Sequence, residues 1–428
     1  MAESEVASRT LSDTVTLSRE LREEGQIDGQ VKLYNVDDDG EFESNAELFF
    51  ERTLMTRGLQ EALSILRDSL TGEDPRGTHI LYGPYGSGKS HQIVALYHCF
   101  NNPTAATKWA SGSVDGLSAA LPESATPITV AMQNEQYEYL WEPFFEALDH
   151  DPGTYSSGGY PDMQTIQDAV GSKTVTFLVD ELEDWFDTLQ GDRKSANKAF
   201  LQSLLESTAL SDLELYTIVS VLRENSEVHD ILNREQAVEV NMNNQVDKRE
   251  VLRHRLIDSI DESAARSIVN EHFDAYDQSD HVDLPDDLLS EMHDLYPFHP
   301  VLLDALETRY YADEGNQNTR GMIYLFSKVL LEMQDKTNLI THGDIDAIGF
   351  EGELSKINYE RLNAATGDIQ NRIDSENVPH GRRILNTILL YSLKPSEGEG
   401  AKVSDIVMGA YQAGDLVSDI VLNLEQLH

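Results

Sequence analysis

Basic residues are scarce in this chain. Across 428 residues there are 32 Lys plus Arg against 76 Asp plus Glu, a formal net charge of −44, and only 12 of the bases are lysine. So few cations lend no support to DNA binding, which stays open as an alternative on other grounds. The acids are spread along the whole length rather than gathered in a tail. Two readings compete. One is a salt-rich cytoplasm, where screening removes self-repulsion and hydrated carboxylates keep the protein soluble. The other is a specific cationic partner. The even spread favours salt adaptation, and with it a halophile as source. Cysteine is almost missing: Cys99 stands alone, so no internal disulfide forms, and its apolar neighbours make it a small core residue. No run of about 18 apolar residues exists, which excludes a membrane-spanning helix. Met1 to Leu21 holds Glu3, Glu5 and Asp13 and no apolar stretch, so it is not a signal peptide, and a cytoplasmic protein is expected. No internal repeat is visible. The Asn-Lys-x-Asp or Thr-Lys-x-Asp segment that reads guanine is also lacking, since Asn197-Lys198 continues into Ala199-Phe200. A GTP-binding signalling protein is therefore disfavoured. A small-molecule kinase would need an acceptor pocket and a basic lid, and the sequence offers neither.

What is present is a complete phosphate-binding loop. Gly83-Pro84-Tyr85-Gly86-Ser87-Gly88-Lys89-Ser90 matches Gly, four free positions, then Gly-Lys-Ser. The apolar run His79 to Tyr82 before it reads as a strand. His91 and the residues after it place Ile93, Leu96 and Tyr97 on one helical face. Gly83, Gly86 and Gly88 free the backbone to turn its N–H groups towards phosphate, and the helix start adds its positive dipole end. Lys89 would reach the β- and γ-phosphates of ATP, and the Ser90 hydroxyl would bind Mg2+. The plain alternative is a glycine-rich surface turn with a solvated lysine.

A second strand carries the acids. Thr174 to Val179 is rich in β-branched and aromatic residues and ends in Asp180-Glu181. Asp180 is placed to hold the metal, and Glu181 to orient and deprotonate the attacking water. An exposed strand end in an acid-rich stretch (Leu182-Glu183-Asp184-Trp185 follows) is the structural alternative. The acids come about ninety residues after Lys89, with a strand at 128–133 between. This leaves room for an inserted strand between loop strand and acid strand, as in the additional-strand ATPases. A later strand, 215–222, ends near Ser220 and Arg223. A hydroxyl at Ser220 could touch the γ-phosphate and the water. Arg320, at the start of a lid helix, could reach the γ-phosphate. Both also read as ordinary structural or surface residues.

The expected fold is α/β, a parallel sheet of the P-loop type covered by helices on both faces. The expected division is a loosely ordered N-terminal extension with a helix (1–75), the nucleotide domain (76–245), a helical lid (246–340), and a linker with a small C-terminal segment (341–428). Strands are expected at 78–82, 128–133, 174–181, 215–222 and 237–242; 101–127 and 150–161 read as surface excursions. Thr319 can cap a helix running through Met322, Phe326 and Leu330. The last helix, with Leu416, Ile420, Val421, Leu424 and Leu427, leaves an unpartnered apolar face. An arginine reaching a neighbour's nucleotide would come from Arg234 or from Lys248 to Arg255, where Arg249, Arg253 and Arg255 cluster. That cluster reads first as a solvated helix face, then as a subunit contact, and least as a nucleic-acid contact.

Five segments carry a resemblance: Leu48-Phe49-Phe50-Glu51-Arg52-Thr53, Gly83 to His91, Val179-Asp180-Glu181, Tyr296-Pro297-Phe298-His299-Pro300 and Asn318-Thr319-Arg320-Gly321. Together they resemble the large AAA+-type ATPases of prokaryotic anti-phage islands, the BREX/Pgl class and its relatives. The resemblance spans roughly residues 45 to 410. It implies ATP hydrolysis with Mg2+, coupled to a conformational change in an assembly built from copies of the chain or from other defence-system proteins. It also implies a winged-helix-like C-terminal segment. Those relatives are longer, so a shortened chain or a fragment is expected. A nucleotide-dependent scaffold, or a DNA-associated ATPase unconnected with defence, is the alternative; Glu181 argues against a scaffold, which needs no base.

Overall fold

The computed structural model describes residues 9–27, 29–132, 137–153, 155, 159–223, 226–234, 237–241, 245–309, 318–346, 359–392 and 400–428. Among these are seven strands: β1 (Val15–Leu17), β2 (Thr78–Tyr82), β3 (Thr126–Ala131), β4 (Val175–Asp180), β5 (Leu215–Val221), β6 (Val238–Asn241) and β7 (Ile257–Ile260). The chain forms two compact units. One is Gln30–Lys248; the other joins Met1–Gly29 to Arg249–His428. The boundaries expected at 75 and 340 do not mark these units. Residues 30–75 pack with the nucleotide unit, and the C-terminal segment packs with the lid helices.

The nucleotide unit is an α/β fold around a five-stranded sheet in the order β3-β4-β5-β2-β6, with every pairing parallel. Parallel strands buried on both faces need apolar residues on both sides, and these have them. Ile80, Phe177 and Val219 enter one core with the helices Trp141–Ala147, Leu182–Thr188 and Gly191–Thr208. Their neighbours Leu81, Leu178 and Ile218 enter the other, with Ala46–Glu51, Arg57–Thr71 and Lys89–Asn101. The helix after the loop is buried continuously from Gln92 to Phe100. Cys99 is inside it, and burial pushes its thiol up to about 12. The strand between loop strand and acid strand is β5; the segment expected at 128–133 lies at the sheet edge as β3. Residues 101–127 are also more than an excursion, because they form helices whose Ala106, Leu117 and Leu121 are buried. Gly77 is required by space: a Cβ there would lie 2.8 Å from the carbonyl oxygens of Leu215 and Thr208.

The second unit is helical, and the N-terminal segment is sewn into it rather than loosely ordered. β1 pairs antiparallel with β7. The Leu11 N–H donates to Thr337 O at 2.8 Å and the Ile27 N–H to Ser327 Oγ at 3.2 Å. Tyr296 Oη lies 2.8 Å from Thr14 Oγ1 and donates to Asn338 O at 2.9 Å. Leu11, Leu17 and Leu21 join the same core as Phe298, Phe326 and Leu330. The C-terminal region is helical: Tyr359–Glu376, Gly381–Ser392, Val403–Ala410 and Val417–Leu427. No wing strand occurs among its described residues. The last helix is partnered after all. Ile420 is fully buried, and Val421, Leu424 and Leu427 pack on the core, while Leu416 and Leu422 face solvent. Helix Asn318–Met333 begins one residue before Thr319, which therefore sits in the first turn and not at the cap. A polar loop is expected over Asp313 to Asn318; its residues 313–317 lie outside the described residues, as do 347–358 of the expected linker, and Asn318 already belongs to the helix Asn318–Met333. No helix among the described residues is long and apolar enough to cross a membrane.

Candidate functional site

The site sits at the C-terminal edge of the parallel sheet, where open α/β folds place their ligands. β2 runs into the loop, β4 ends at Asp180, and β5 ends just after Ser220. Because β5 lies between the other two, Ser220 falls between the acids and the loop. The loop is fastened to β5 as well: the Gly83 N–H donates to Val221 O at 3.2 Å. Gly86 and Gly88 have φ of 73° and 92°, the left-handed region that a side chain would strain. The loop delivers Lys89 at the first turn of its helix.

Lys89 is largely buried, and burial lowers its pKa against the pull of Asp180, Glu181, Glu183 and Asp184, which raise it. Its ammonium donates to the carbonyls of Gly83 at 2.6 Å and Pro84 at 3.0 Å. A desolvated cation held only by neutral carbonyls is underpaid in charge. Ser87 adds a second open valence, a buried hydroxyl without a hydrogen-bond partner. Both fit a phosphate oxygen.

Asp180 is 4% exposed. It accepts a short hydrogen bond from Ser220 Oγ. The Glu181 N–H donates to Ser220 Oγ at 3.0 Å and to Asp180 Oδ1 at 3.1 Å. The three residues thus form a closed knot, in which Ser220 fixes the orientation of the Asp180 carboxylate. Glu181 itself adopts φ 58°, ψ 31°, a conformation rare for a residue with a side chain and concentrated at functional sites. Burial, then the charges of Asp180 and Asp184, push its carboxyl up to about 7, with Lys89 opposing.

Several neighbours were not legible from spacing. Glu183 is 2% exposed and takes the N–H groups of Leu222 and Arg223, at 2.9 and 3.1 Å. It also pairs with the Arg223 guanidinium, whose other arm reaches Asp187 at 2.8 Å. Arg223 is therefore tied to the acid helix Leu182–Thr188. Tyr85 Oη donates to Asp184 Oδ2 at 2.5 Å. On the other side of the loop helix, His91 Nε2 lies 2.8 Å from Thr53 Oγ1, and its ring lies 4.7 Å from that of Phe49. This seats the Leu48–Thr53 segment against the loop helix. The only advance signal was the helical spacing of Asp184, three residues after Glu181.

Arg234 ends the helix Glu227–Arg234 and is exposed in the nucleotide unit. Arg320 is in the other unit, in the first turn of Asn318–Met333. Of the basic cluster, Arg249 pairs with Glu307 and Asp304, Arg255 with Glu20, and Arg253 Nη1 donates to Asp294 O at 2.9 Å. The cluster is therefore largely engaged within its own unit. No group of three His, Cys, Asp or Glu side chains that could hold a metal ion occurs among the described residues.

Residues 22–134 match the DUF499 N-terminal domain, and residues 243–352 match the DUF499 second domain. No curated protein matches the chain. Among solved structures, the Aeropyrum pernix ORC1 protein in complex with DNA is similar at 15% identity. That alignment covers 92% of this chain and 87% of that one, with a TM-score of 0.38. The Aeropyrum pernix ORC2 protein (ADPNP-ADP complexes) is similar at 13% identity over 88% and 86%, TM-score 0.37. Domain III of the Thermotoga maritima replication initiation protein DnaA is similar at 12% identity over 66% and 87%, TM-score 0.30. Scores of this size leave the function to be argued from the site.

Proposed function

We propose that the chain is an Mg2+-dependent ATPase that cleaves the β–γ bond of ATP. The observation that carries this reading is the convergence of a desolvated Lys89, its ammonium hydrogen-bonded to loop carbonyls, with Asp180, Glu181 and Ser220 at one edge of the sheet. ATP and Mg2+ supply the scissile phosphoanhydride and the cation that screens it. Lys89 and the loop N–H groups hold phosphate oxygens, with the Ser87 hydroxyl as a further donor. Ser90 and Asp180 hold the metal. Ser220 keeps the Asp180 carboxylate turned and would be the hydroxyl that senses the γ-phosphate. Glu181 accepts the proton of the attacking water at its carboxylate. The charge scale and the resemblance to anti-phage ATPases support a finer reading. In it, turnover drives a conformational or assembly switch in a defence complex of a salt-rich cytoplasm, with one of Arg234, Arg249, Arg253 or Arg255 reaching the nucleotide of a neighbouring subunit.

One pair of variants tests the chemistry. Lys89→Ala should lose ATP binding by calorimetry in molar salt. Glu181→Gln keeps shape and removes the base, so it should bind ATP as the native chain does, while hydrolysis falls by ~10²–10⁴. Retained affinity in the first, or native turnover in the second, overturns the assignment.

A further inference from the structure

The strand that bears the acids parts from its neighbour before the acids are reached. β4 and β5 pair as far as Val179 and Val219. Past that register side chains take over from the backbone ladder. Ser220 is the first link, bonded to the Asp180 carboxylate and to the Glu181 N–H. Glu183 is the second. Its Oε2 accepts the N–H groups of Leu222 and Arg223 at 2.9 and 3.1 Å, the two residues that follow the end of β5. Its Oε1 takes the Arg223 guanidinium. A carboxylate only 2% exposed must have its oxygens satisfied in this way, so these bonds fix where Glu183 can lie.

We propose that Glu183 is a positioning residue, a strut that sets the distance between Glu181 and the phosphate loop. The inference rests on the proposed ATPase reading, in which Glu181 is the base. The exit of β5 is the common anchor. On one side, Val221 pairs with Tyr82 of β2, and its carbonyl accepts the Gly83 N–H of the loop at 3.2 Å. On the other side, the next two N–H groups are held by Glu183. Glu183 stands two residues after Glu181, in the first turn of Leu182–Thr188. A shift of its carboxylate relative to β5 therefore moves the backbone that carries the base.

That backbone has little freedom to spare. Glu181 is at φ 58°, ψ 31°, a conformation that persists only where the surroundings over-determine it. Ser220 restrains the turn from its N-terminal side, through the Glu181 N–H, and Glu183 restrains it from the C-terminal side. What Glu183 supplies is reach rather than charge. One oxygen atom serves both backbone donors, and a neutral amide oxygen has two lone pairs for the same task.

Two conservative variants separate reach from charge. Glu183→Asp keeps the charge and draws the acceptor back by one methylene. Glu183→Gln keeps the reach and an acceptor oxygen and gives up the charge. Single-turnover cleavage of ATP and the Kd for ATP are measured on the full chain, in the native and Glu181→Gln backgrounds. Glu183→Asp should slow cleavage ~10–10²-fold, the loss expected when a reacting group is misplaced by an ångström, with Kd within about twofold of native. Glu183→Gln should cleave within about threefold of the native rate. In Glu181→Gln, where the base is gone, Glu183→Asp should leave the residual rate unchanged. A Gln variant as slow as the Asp variant overturns the strut, because charge would then matter. Equal slowing in both backgrounds overturns it too, and so does a Kd that rises in step with the lost turnover, since Glu183 would then shape the loop rather than place the base. A native chain that binds ATP and does not cleave it fails differently: it overturns the ATPase reading, and the strut with it.

Discussion

In the nucleotide unit Lys89 is desolvated with only two carbonyls for partners, Ser87 has none, and Glu181 sits in a strained conformation. In the helical unit the buried bases are matched to acids: Arg255 with Glu20, Arg249 with Glu307, and Arg383 with Asp344. That unit has open polar valences too, at His299 Nε2 and both ring nitrogens of His342. These imidazoles lie at 0% exposure in the middle of a core, and burial keeps them neutral. The difference is one of access. An orphaned polar group at the sheet edge has somewhere to find a ligand, while one in the interior can only be held uncharged.

Three measurements would break or sharpen this contrast. The largest effect is expected from Arg383→Ala. It leaves the Asp344 carboxylate, fully buried, without its guanidinium, and removing one partner of a buried pair costs about 3–5 kcal/mol. Denaturant unfolding should show this loss, and Arg383→Met combined with Asp344→Leu should recover much of it. A loss confined to a few tenths would mean that the helical unit does not depend on matched charge.

A smaller effect should come from acid. His272 is held at about 4, His342 at about 3 and His299 well below its ordinary value, in each case first by burial. Folded, these groups stay neutral as pH falls, whereas the unfolded chain takes up protons near 6.5. Stability is therefore full above about 6.5 and is lost as pH falls towards 4. Each histidine contributes about 1 kcal/mol of loss between pH 6.5 and 5.5, so the helical unit should lose about 3 kcal/mol. In the nucleotide unit two such groups, His79 and His98, both held at about 4 chiefly by burial, cost about 2 kcal/mol, and Glu181, raised to about 7 and so protonated more readily folded than unfolded, offsets about 1 kcal/mol of it. Hydrogen exchange read separately in the two units checks the order. An earlier loss in the nucleotide unit would contradict it.

The smallest contrast concerns salt. With a net charge of −44, lowering KCl from molar to ~0.1 M should lower the melting temperature of both units through self-repulsion. A melting temperature that does not move would remove the argument for salt adaptation.

Much of the site could be read in advance because its signals are local. The glycine spacing of 83–88 and the β-branched run before Asp180 are properties of neighbouring residues. β2, β4 and β5 accordingly fall within two residues of their expected bounds. What could not be read depends on distant partners. That β5 rather than β3 separates the loop strand from the acid strand is a matter of pairing. The acidic N-terminal stretch looked unfit for a core because Leu11, Leu17 and Leu21 are widely spaced. They are buried by residues more than two hundred positions away. The Tyr85–Asp184 bond and the covered face of the last helix were hidden for the same reason.

The placement of Val15 opposite Ile260 has a consequence for how the protein is made. The ribosome finishes the whole nucleotide unit before β7 exists. At typical elongation rates β1 waits on the order of 10–50 s for its partner. Folding of the intervening unit in that interval shortens the flexible loop that the pairing must close, which lowers its entropic cost. Synthesis therefore favours one order, nucleotide unit first and helical unit last. Until the second step, Leu11, Val15, Leu17 and Leu21 form an apolar ribbon on the nascent chain, the kind of segment that holding chaperones recognise.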